Sequence, residues 1–520
     1  MRTKSILWAA MSMTAALMMT SCSSDDVQDW PTPTTKTIPY TVTVSQGTRA
    51  TVDGDLSTLR FAEGDKLTIS GTNVSGTLDM TSAVGQTSAT FSGNLKYTGT
   101  DEQPADNLEL TATLVSAQQS GTELTYPTDA YCATVNEAVQ KYSKLTGTGT
   151  YGAKTFQLSQ GTAFLNFKIT FDYGVTSGTT LPAVVTNNNT EISRANVTTT
   201  TEDGKVVAKF VLPIAKDTEL YNAMVMMDTK GAFIHDATLA GKVYNLNKTI
   251  GAFTINASGD KVLFAPGNLQ ATYDGNDWTW AFAEHQWDYI GANSGNTKVI
   301  GTSPFISENA TVDLFGWVGA SSTWDDVNQF GITINGYPFV NKTEGYGNVA
   351  DEAMKAEWNS TNLNITNGGT YTWRTMTSAE WYYVIPGRML TVNGESKPSY
   401  GYGYVNGVSG IIILPDGWDG SVHGGFYYKY SNASHNTYTD TTTPTWSQME
   451  AAGCAFLPAA GYRNYADVDQ AGSAGYYWTS TAYQPAVVYS LGFRWDSGNI
   501  GGGYWYRFQG HSVRLVRAAE

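Results

Sequence analysis

From residue 37 onward the chain alternates with a period of two. Ile38, Tyr40, Val42 and Val44 fall on one side, Thr37, Thr41, Thr43 and Ser45 on the other. Only an extended strand gathers every second residue on one face, so this stretch must rest one face on an apolar core and keep the other in water. Alternating or apolar runs recur at Lys66–Ile69, Leu108–Leu114, Ala163–Phe171, Val206–Leu212 and Ala223–Met227. Turn-forming clusters such as Asp53-Gly54, Asn187-Asn188-Asn189 and Asp203-Gly204 separate them. Strands at this spacing, with no helical pattern between them, predict β-sandwiches. A stretch of about 215 residues favours two small sandwiches over one large one.

Tryptophan marks where this alphabet ends. None occurs between Trp30 and Trp278, and from Trp278 onward tryptophan recurs among many Gly and Tyr. The shift places a domain boundary near Thr254–Lys261. Charge narrows the partners. With 31 Lys+Arg against 46 Asp+Glu the chain carries −15, and such a surface repels phosphate backbones, which excludes nucleic acid as a partner. Three cysteines cannot staple a fold of 520 residues, and Cys132 and Cys454 are too far apart in sequence to suggest a local bridge. Past residue 21 no apolar run approaches the ~20 residues of a membrane-spanning helix.

The first residues read as an export signal. Arg2 and Lys4 form a basic start, Ile6 to Met19 a short apolar core, and small residues lead to a cysteine in Met19-Thr20-Ser21-Cys22. The last four residues resemble a bacterial lipobox, which implies a diacylglyceryl group on Cys22 and anchoring to the outer membrane. An ordinary signal peptide followed by a chance cysteine is the plainer alternative. Ser23-Ser24-Asp25-Asp26 resembles the acidic tag that sends Bacteroidetes lipoproteins to the cell surface. Residues 1–21 are then a signal peptide and 22–35 a lipidated tether, with Pro31 and Pro33 inside it.

Downstream, Gly47-Thr48-Arg49-Ala50-Thr51 follows the first alternating strand, and Phe61-Ala62-Glu63-Gly64-Asp65 comes next. The run from Phe156 to Ile169, FQLSQGTAFLNFKI, opens a second unit. Together these resemble the fimbrillins, the pilus subunits of Bacteroidales. The resemblance implies two transthyretin-like β-sandwiches, at 36–155 and 156–255. It also implies cleavage between Arg49 and Ala50 by an arginine-specific protease, which releases the lipidated first strand. The vacated groove then takes a strand from another fimbrial subunit. Physically, a removed strand leaves unpaired N–H and C=O groups along an apolar groove that another chain can fill. Without the family, Arg49 reads as a solvated loop residue.

Residues 262–520 carry a separate series: Val262–Gln270, Trp280–Gly291, Asp313–Trp317, Trp373–Trp381, Val405–Trp418, Phe456–Arg463, Gly475–Thr481 and His511–Arg517. In order, these resemble the major paralogous domain first noted in Fibrobacter, and more distantly C-type-lectin-like folds. The implied architecture is an α+β head, so the whole chain is expected to be mainly β with two sandwiches and a lectin-like end. Thr377 with Glu380 three residues on predicts a capping box, and Pro386 limits that helix to Ser378–Ile385. Ile411–Leu414 before Pro415 predicts a buried strand. At the end, Val513 and Leu515 alternate with Arg514 and Val516.

Catalytic patterns do not assemble, so the expectation is no enzyme and no cofactor. The catalytic relatives of the lectin-like fold need two cysteines with copper, and Cys454 stands alone. Gln484-Pro485-Ala486 and Trp495-Asp496 resemble parts of a calcium loop, yet Ala486 offers no ligand oxygen. Asp274, Asp277, Asp416 and Asp419 flank glycines as turn residues do. Glu284 and His285 lack the second histidine of a zinc protease, and His511-Ser512 lacks a nucleophile elbow. Exposed aromatics are the remaining recognition chemistry, since a ring face stacks on sugar C–H patches. Tyr427, Tyr428, Tyr430, Tyr504 and Trp505 are the leading ligand-binding candidates, with Tyr400, Tyr402, Tyr404 and Tyr506 beside them. Half-buried packing is the alternative for each.

These readings converge on a fimbrium tip subunit: a strand-accepting base that carries a head for a glycan or protein on a host or bacterial surface. In the resembled family the C-terminal strand is donated to a neighbour, whereas Val513–Arg517 closes the head and only Ala518-Ala519-Glu520 follow. Such a chain is expected to cap a filament. A non-polymerised surface lipoprotein that binds glycan or protein is the rival reading.

Overall fold

The computed structural model describes residues 32–46, 61, 63–82, 88–115, 128–273, 278–291, 296, 310–317, 358, 363–392, 394–418, 426–428, 436–464, 467–484, 487–494, 500–506 and 509–519. Cys22, Arg49, Ala50 and Tyr430 lie outside these, as do Pro485, Ala486, Trp495, Asp496, Asp274, Asp277 and Asp419. The chain is mainly β, with three short α-helices among the described residues.

The first body has seven strands: β1 (Thr34–Gln46), β2 (Lys66–Gly71), β3 (Val74–Met80), β4 (Ser88–Gly99), β5 (Glu109–Val115), β6 (Leu145–Thr150) and β7 (Thr155–Gln160). They run in the order β1-β4-β3-β2-β5-β6-β7 and close on themselves. A sandwich of two open sheets was the expectation; the difference lies in β1. Along its length β1 pairs antiparallel with β4, from Thr34↔Gly99 to Ser45↔Ser88. Its last four residues also pair parallel with β7, from Thr43↔Thr155 to Gln46↔Leu158. One strand therefore occupies both open edges, and closure leaves no edge exposed.

The second body keeps two sheets face to face. One orders Thr190–Thr198, Thr180–Asn187, Met224–Met227 and Lys230–Phe233; the other orders Thr200–Glu202, Lys205–Ala215, Thr162–Phe171 and Val243–Ile250. Leu165, Phe167, Phe210 and Leu212 from the second sheet share a core with Val185, Val197 and Val225 from the first. Helix α1 (Val135–Tyr142) belongs in sequence to the β5–β6 connection, yet Ala138 and Val139 pack on Phe164 and Val211 of this second body. Its start is written locally: Thr134 accepts from the Glu137 N–H at 3.2 Å.

Past residue 260 the sheets are small and numerous. The four-stranded sheet Thr437–Tyr438, Tyr400–Val405, Val408–Ile413 and Ala455–Pro458 lies at the centre of the head. A three-stranded sheet of Ala474–Gln484, Val487–Arg494 and Ile500–Tyr506 lies beside it. Helix α2 (Ser378–Tyr382) has both arms of the capping box, Glu380 N–H to Thr377 Oγ1 at 3.2 Å and Thr377 N–H to Glu380 Oε2 at 2.7 Å. It is shorter than expected. At Ile385 φ is −141°, because the residue before a proline is driven out of the helical region, and Tyr383–Gly387 forms a wider turn. A second capping box, Thr445 with Gln448, starts α3 (Trp446–Ala451).

The tryptophan boundary does not interrupt the core. Met224 and Phe233 of the second body lie in one apolar cluster with Trp418, Trp446 and Phe456 of the head, Phe233 and Trp418 meeting edge to face at 5.9 Å. Asn222 Nδ2 donates to Gln448 Oε1 at 2.9 Å across the same seam. Burial at this seam argues that the two parts stabilise each other.

Candidate functional site

Sequence and topology mark the same residues in the closing strand β1. Tyr40, Val42 and Val44 are buried, while Thr41, Thr43 and Ser45 between them are exposed, as the period of two requires. Ile38 is half-buried at the same face. The groove beneath them is apolar: Ala89, Phe91 and Leu95 come from β4, Phe156 and Leu158 from β7. Tyr40 fixes the register. Its ring stacks on Tyr151 at 5.0 Å and its hydroxyl donates to the Tyr151 carbonyl at 2.8 Å. Burial holds that phenol up at about 12, so it stays a donor at any physiological pH. A strand of 13 residues held by three buried side chains and two ladders is a discrete ligand of its own barrel.

The aromatic candidates divide. Tyr427 and Tyr504 are 39% and 62% exposed. Tyr400 and Tyr402 are core residues under the central sheet. Tyr428 turns inward onto Phe426 at 5.2 Å, and Trp505 packs against Tyr476 at 4.6 Å and Tyr462 at 5.2 Å. Tyr400 and Tyr402 are therefore packing residues, whereas Tyr428 and Trp505 are half-buried, with part of each ring engaged by its neighbours. Tyr404 is half-buried.

The structure instead gathers Tyr504 with Tyr483, stacked at 4.9 Å, and Tyr483 with Tyr489 at 5.1 Å. Tyr489 lies directly opposite Tyr504 in the sheet, and Tyr506, 55% exposed, follows two residues on along the same face. Tyr483 and Tyr489 were not singled out from sequence. Tyr483 lies in the strand Ala474–Gln484 and Tyr489 in Val487–Arg494, and the local sequence of either does not say which strand lies opposite.

Among the described residues no group of three His, Cys, Asp or Glu could hold a metal ion. Ser490 Oγ and His511 Nδ1 lie 3.0 Å apart, the pair a hydrolase would need, but both are fully buried and His511 is stacked on Trp478 at 4.0 Å. Burial pushes the imidazole well below its ordinary range, so it packs as a neutral ring that substrate cannot reach.

Asp416 does more than turn the chain. It accepts from Arg388 Nη1 at 2.5 Å and from Thr254 Oγ1 at 2.6 Å, and it meets Lys261, which also pairs with Asp172 at 2.5 Å. The network ties the second body, the connector and the head together. Burial pushes the Asp416 carboxyl up, but Arg388, Thr254 and Lys261 outweigh it and hold it below the usual range. A depressed carboxylate contributes stability above its unfolded pKa and loses it as pH falls through the folded value. Asp416→Asn is therefore expected to cost about 2 kcal/mol at neutral pH, since Arg388 stays buried without its counter-ion. The gap between variant and parent in urea melts should start to narrow as pH falls below about 4, the unfolded value, and close only once pH is below the depressed folded value. An equal gap at all pH values would deny the ionic role.

Comparison with known proteins adds the following. Among solved structures, a tip fimbrial protein, Mfa3, from Porphyromonas gingivalis with a C-terminal truncation is 7% identical, covering 40% of this chain and 94% of that one, with a TM-score of 0.20. A fimbrial assembly protein from Parabacteroides distasonis is 9% identical over 44% of this chain and 95% of that one, with a TM-score of 0.21. A fimbrial protein from Bacteroides ovatus is 10% identical over 92% of this chain and 98% of that one, with a TM-score of 0.19. Superpositions at these scores leave the fold to be read from the strand order itself. No curated protein matches the sequence. Residues 428–516, within the head, match a family described as a domain of unknown function, DUF8237.

Proposed function

We propose that this chain is a fimbrial subunit of the cell surface whose first barrel accepts a strand from a neighbouring subunit, and whose head mediates adhesion. The observation that carries the reading is β1: a single N-terminal strand closes the barrel on both edges and sits directly ahead of Arg49. Cleavage between Arg49 and Ala50 would free that strand together with the lipid on Cys22, and the groove of Phe91, Leu95, Phe156 and Leu158 would receive an apolar strand of the same alternation. Val516–Ala518 is paired with Lys261–Phe264 and Val516 is fully buried, so this strand is committed to the head. No catalytic role is assigned. The lectin-like kinship of the head belongs to this proposal, as does the three-domain division expected at 36–155, 156–255 and 262–520, with Phe156–Gln160 moved to the first barrel, where β7 pairs with β1.

Two experiments test it. Protein recovered from purified fimbriae is expected to begin at Ala50 on terminal sequencing. Material that begins at Cys22 would favour the rival, a lipid-anchored surface protein that keeps β1 in its barrel. Labelled palmitate is expected to enter the parent chain and be absent from Cys22→Ala; undiminished labelling would remove the anchor from the account.

A further inference from the structure

A cavity of about 400 Å³ opens where the second body meets the head, within the size range of small-molecule sites. Its walls include aromatic rings from both parts: Phe264, Tyr371 and Trp373 of the head and Tyr173 of the second body. Two cations line it. Lys230 comes from the strand Lys230–Phe233 of the second body, and Arg517 from the strand Val516–Ala518 of the head. Arg517 lies over the Tyr371 ring at 3.8 Å and 5.9 Å from that of Trp373, and it forms no salt bridge among the described residues. Lys230, half-buried, has neither an ion pair nor a hydrogen bond among them.

The carboxylates nearby do not satisfy these charges. Glu450 lines the same cavity, but one of its oxygens already takes the Gln286 amide at 2.8 Å. Asp172, next to Tyr173, is held by Lys261 at 2.5 Å. Burial pushes the Lys230 ammonium down, Glu450 partly restores it, and Arg517 lowers it again, so the two cations feel each other. On a chain of net charge −15, an aromatic cavity with two cations against one carboxylate is a local reversal of sign. It selects an anion in a surface that otherwise repels one.

We propose that this cavity binds the terminal acidic sugar of a surface glycan, a uronic or sialic acid residue. Its carboxylate would meet Lys230 and Arg517, and its ring C–H face would lie against Tyr371 and Trp373. The volume suits one ring and its carboxylate, and the second carboxylate oxygen of Glu450 at the wall offers an acceptor to a ring hydroxyl. The proposal rests on the adhesive reading above and gives it a ligand class. It also sets the ligand across the seam between the second body and the head, so occupancy would tighten that seam.

Titration calorimetry of the purified full chain with free sugars tests this without any fimbrium, so its failure is separate from failure of the strand-exchange reading. Glucuronate and N-acetylneuraminate are expected to bind saturably, one of them more tightly and so naming the source, with glucose about tenfold weaker or more. Lys230→Gln should abolish the preference for acid over neutral sugar with an unchanged thermal melt, and Lys230→Arg should keep it. Equal binding of glucose and glucuronate, or a preference that survives in Lys230→Gln, would overturn the proposal. Tighter binding of N-acetylphenylalanine than of either sugar acid would overturn it in favour of a peptide carboxylate.

Discussion

A chain that starts at Ala50 is expected to lose the cooperative melt of its first barrel, and to regain it when a peptide of residues 34–46 is added. The size of the effect follows from what β1 buries. Tyr40, Val42 and Val44 each contribute about 1.5–3 kcal/mol of apolar transfer, so roughly 5–9 kcal/mol leaves with the strand. That is comparable to the whole stability of a typical domain, about 5–15 kcal/mol. The pairings on β4 and β7 become open edges at the same time. A peptide with Val42→Asp and Val44→Asp should fail to restore the melt, since its charges would enter the groove of Phe91 and Leu158. Unchanged melting of the shortened chain would show that β1 does not hold the barrel together, and the strand-exchange reading would fall with it.

The head should be equally sensitive at one residue, Arg514. Fully buried, it meets no carboxylate and is instead held by four oxygens. Nε donates to Asn268 Oδ1 at 2.9 Å, Nη1 to the Ala265 carbonyl at 3.2 Å, and Nη2 to the carbonyls of Gln286 at 3.1 Å and Phe456 at 3.0 Å. Burial brings its pKa down to about 10, which still leaves it charged at neutral pH. These oxygens come from three separate stretches of the head, so the guanidinium fork joins them as no apolar side chain can. Arg514→Met would strand four acceptors at about 1–3 kcal/mol each, partly offset by removing a buried charge. The expected loss is about 4 kcal/mol or more, read as a large drop in the urea midpoint. Arg514→Lys should recover less than half, because one ammonium cannot reach all four. A loss under about 1 kcal/mol would mean that water replaces the fork.

Local rules were legible in the sequence; pairings were not. The face assignment of Ile38, Tyr40, Val42 and Val44, the buried strand expected at Ile411–Leu414 and the capping box at Thr377 and Glu380 all rest on interactions within a few residues, and the structure agrees, with the strand ending at Ile413 and Leu414 buried just past it. Closure of the barrel required knowing that Thr43–Gln46 reaches Thr155–Leu158, more than a hundred residues away. Arg514 looked like the polar half of an alternation, yet no strand ladder covers Val513–Leu515 and all three side chains are buried. The aromatic residues were the hardest to place. A tyrosine at Tyr400 or Tyr402 has the same local signature as one at Tyr504, and only the partner across the sheet decides which is core. Composition misled in one respect: the loss of tryptophan before residue 278 marks a change of strand chemistry, while the buried contacts of Met224 and Phe233 run straight across it.

That shared cluster bears on how such chains could be recombined. A crossover in the connector at 256–260 would look clean in an alignment, yet it would join Met224, Phe233 and Asn222 to a head that had never been selected against them. Trp418 would lose its edge-to-face partner, and Gln448 its amide. Heads should therefore travel through evolution together with the hairpin Met224–Phe233, and a graft that carries that hairpin should express where a cut at the connector aggregates.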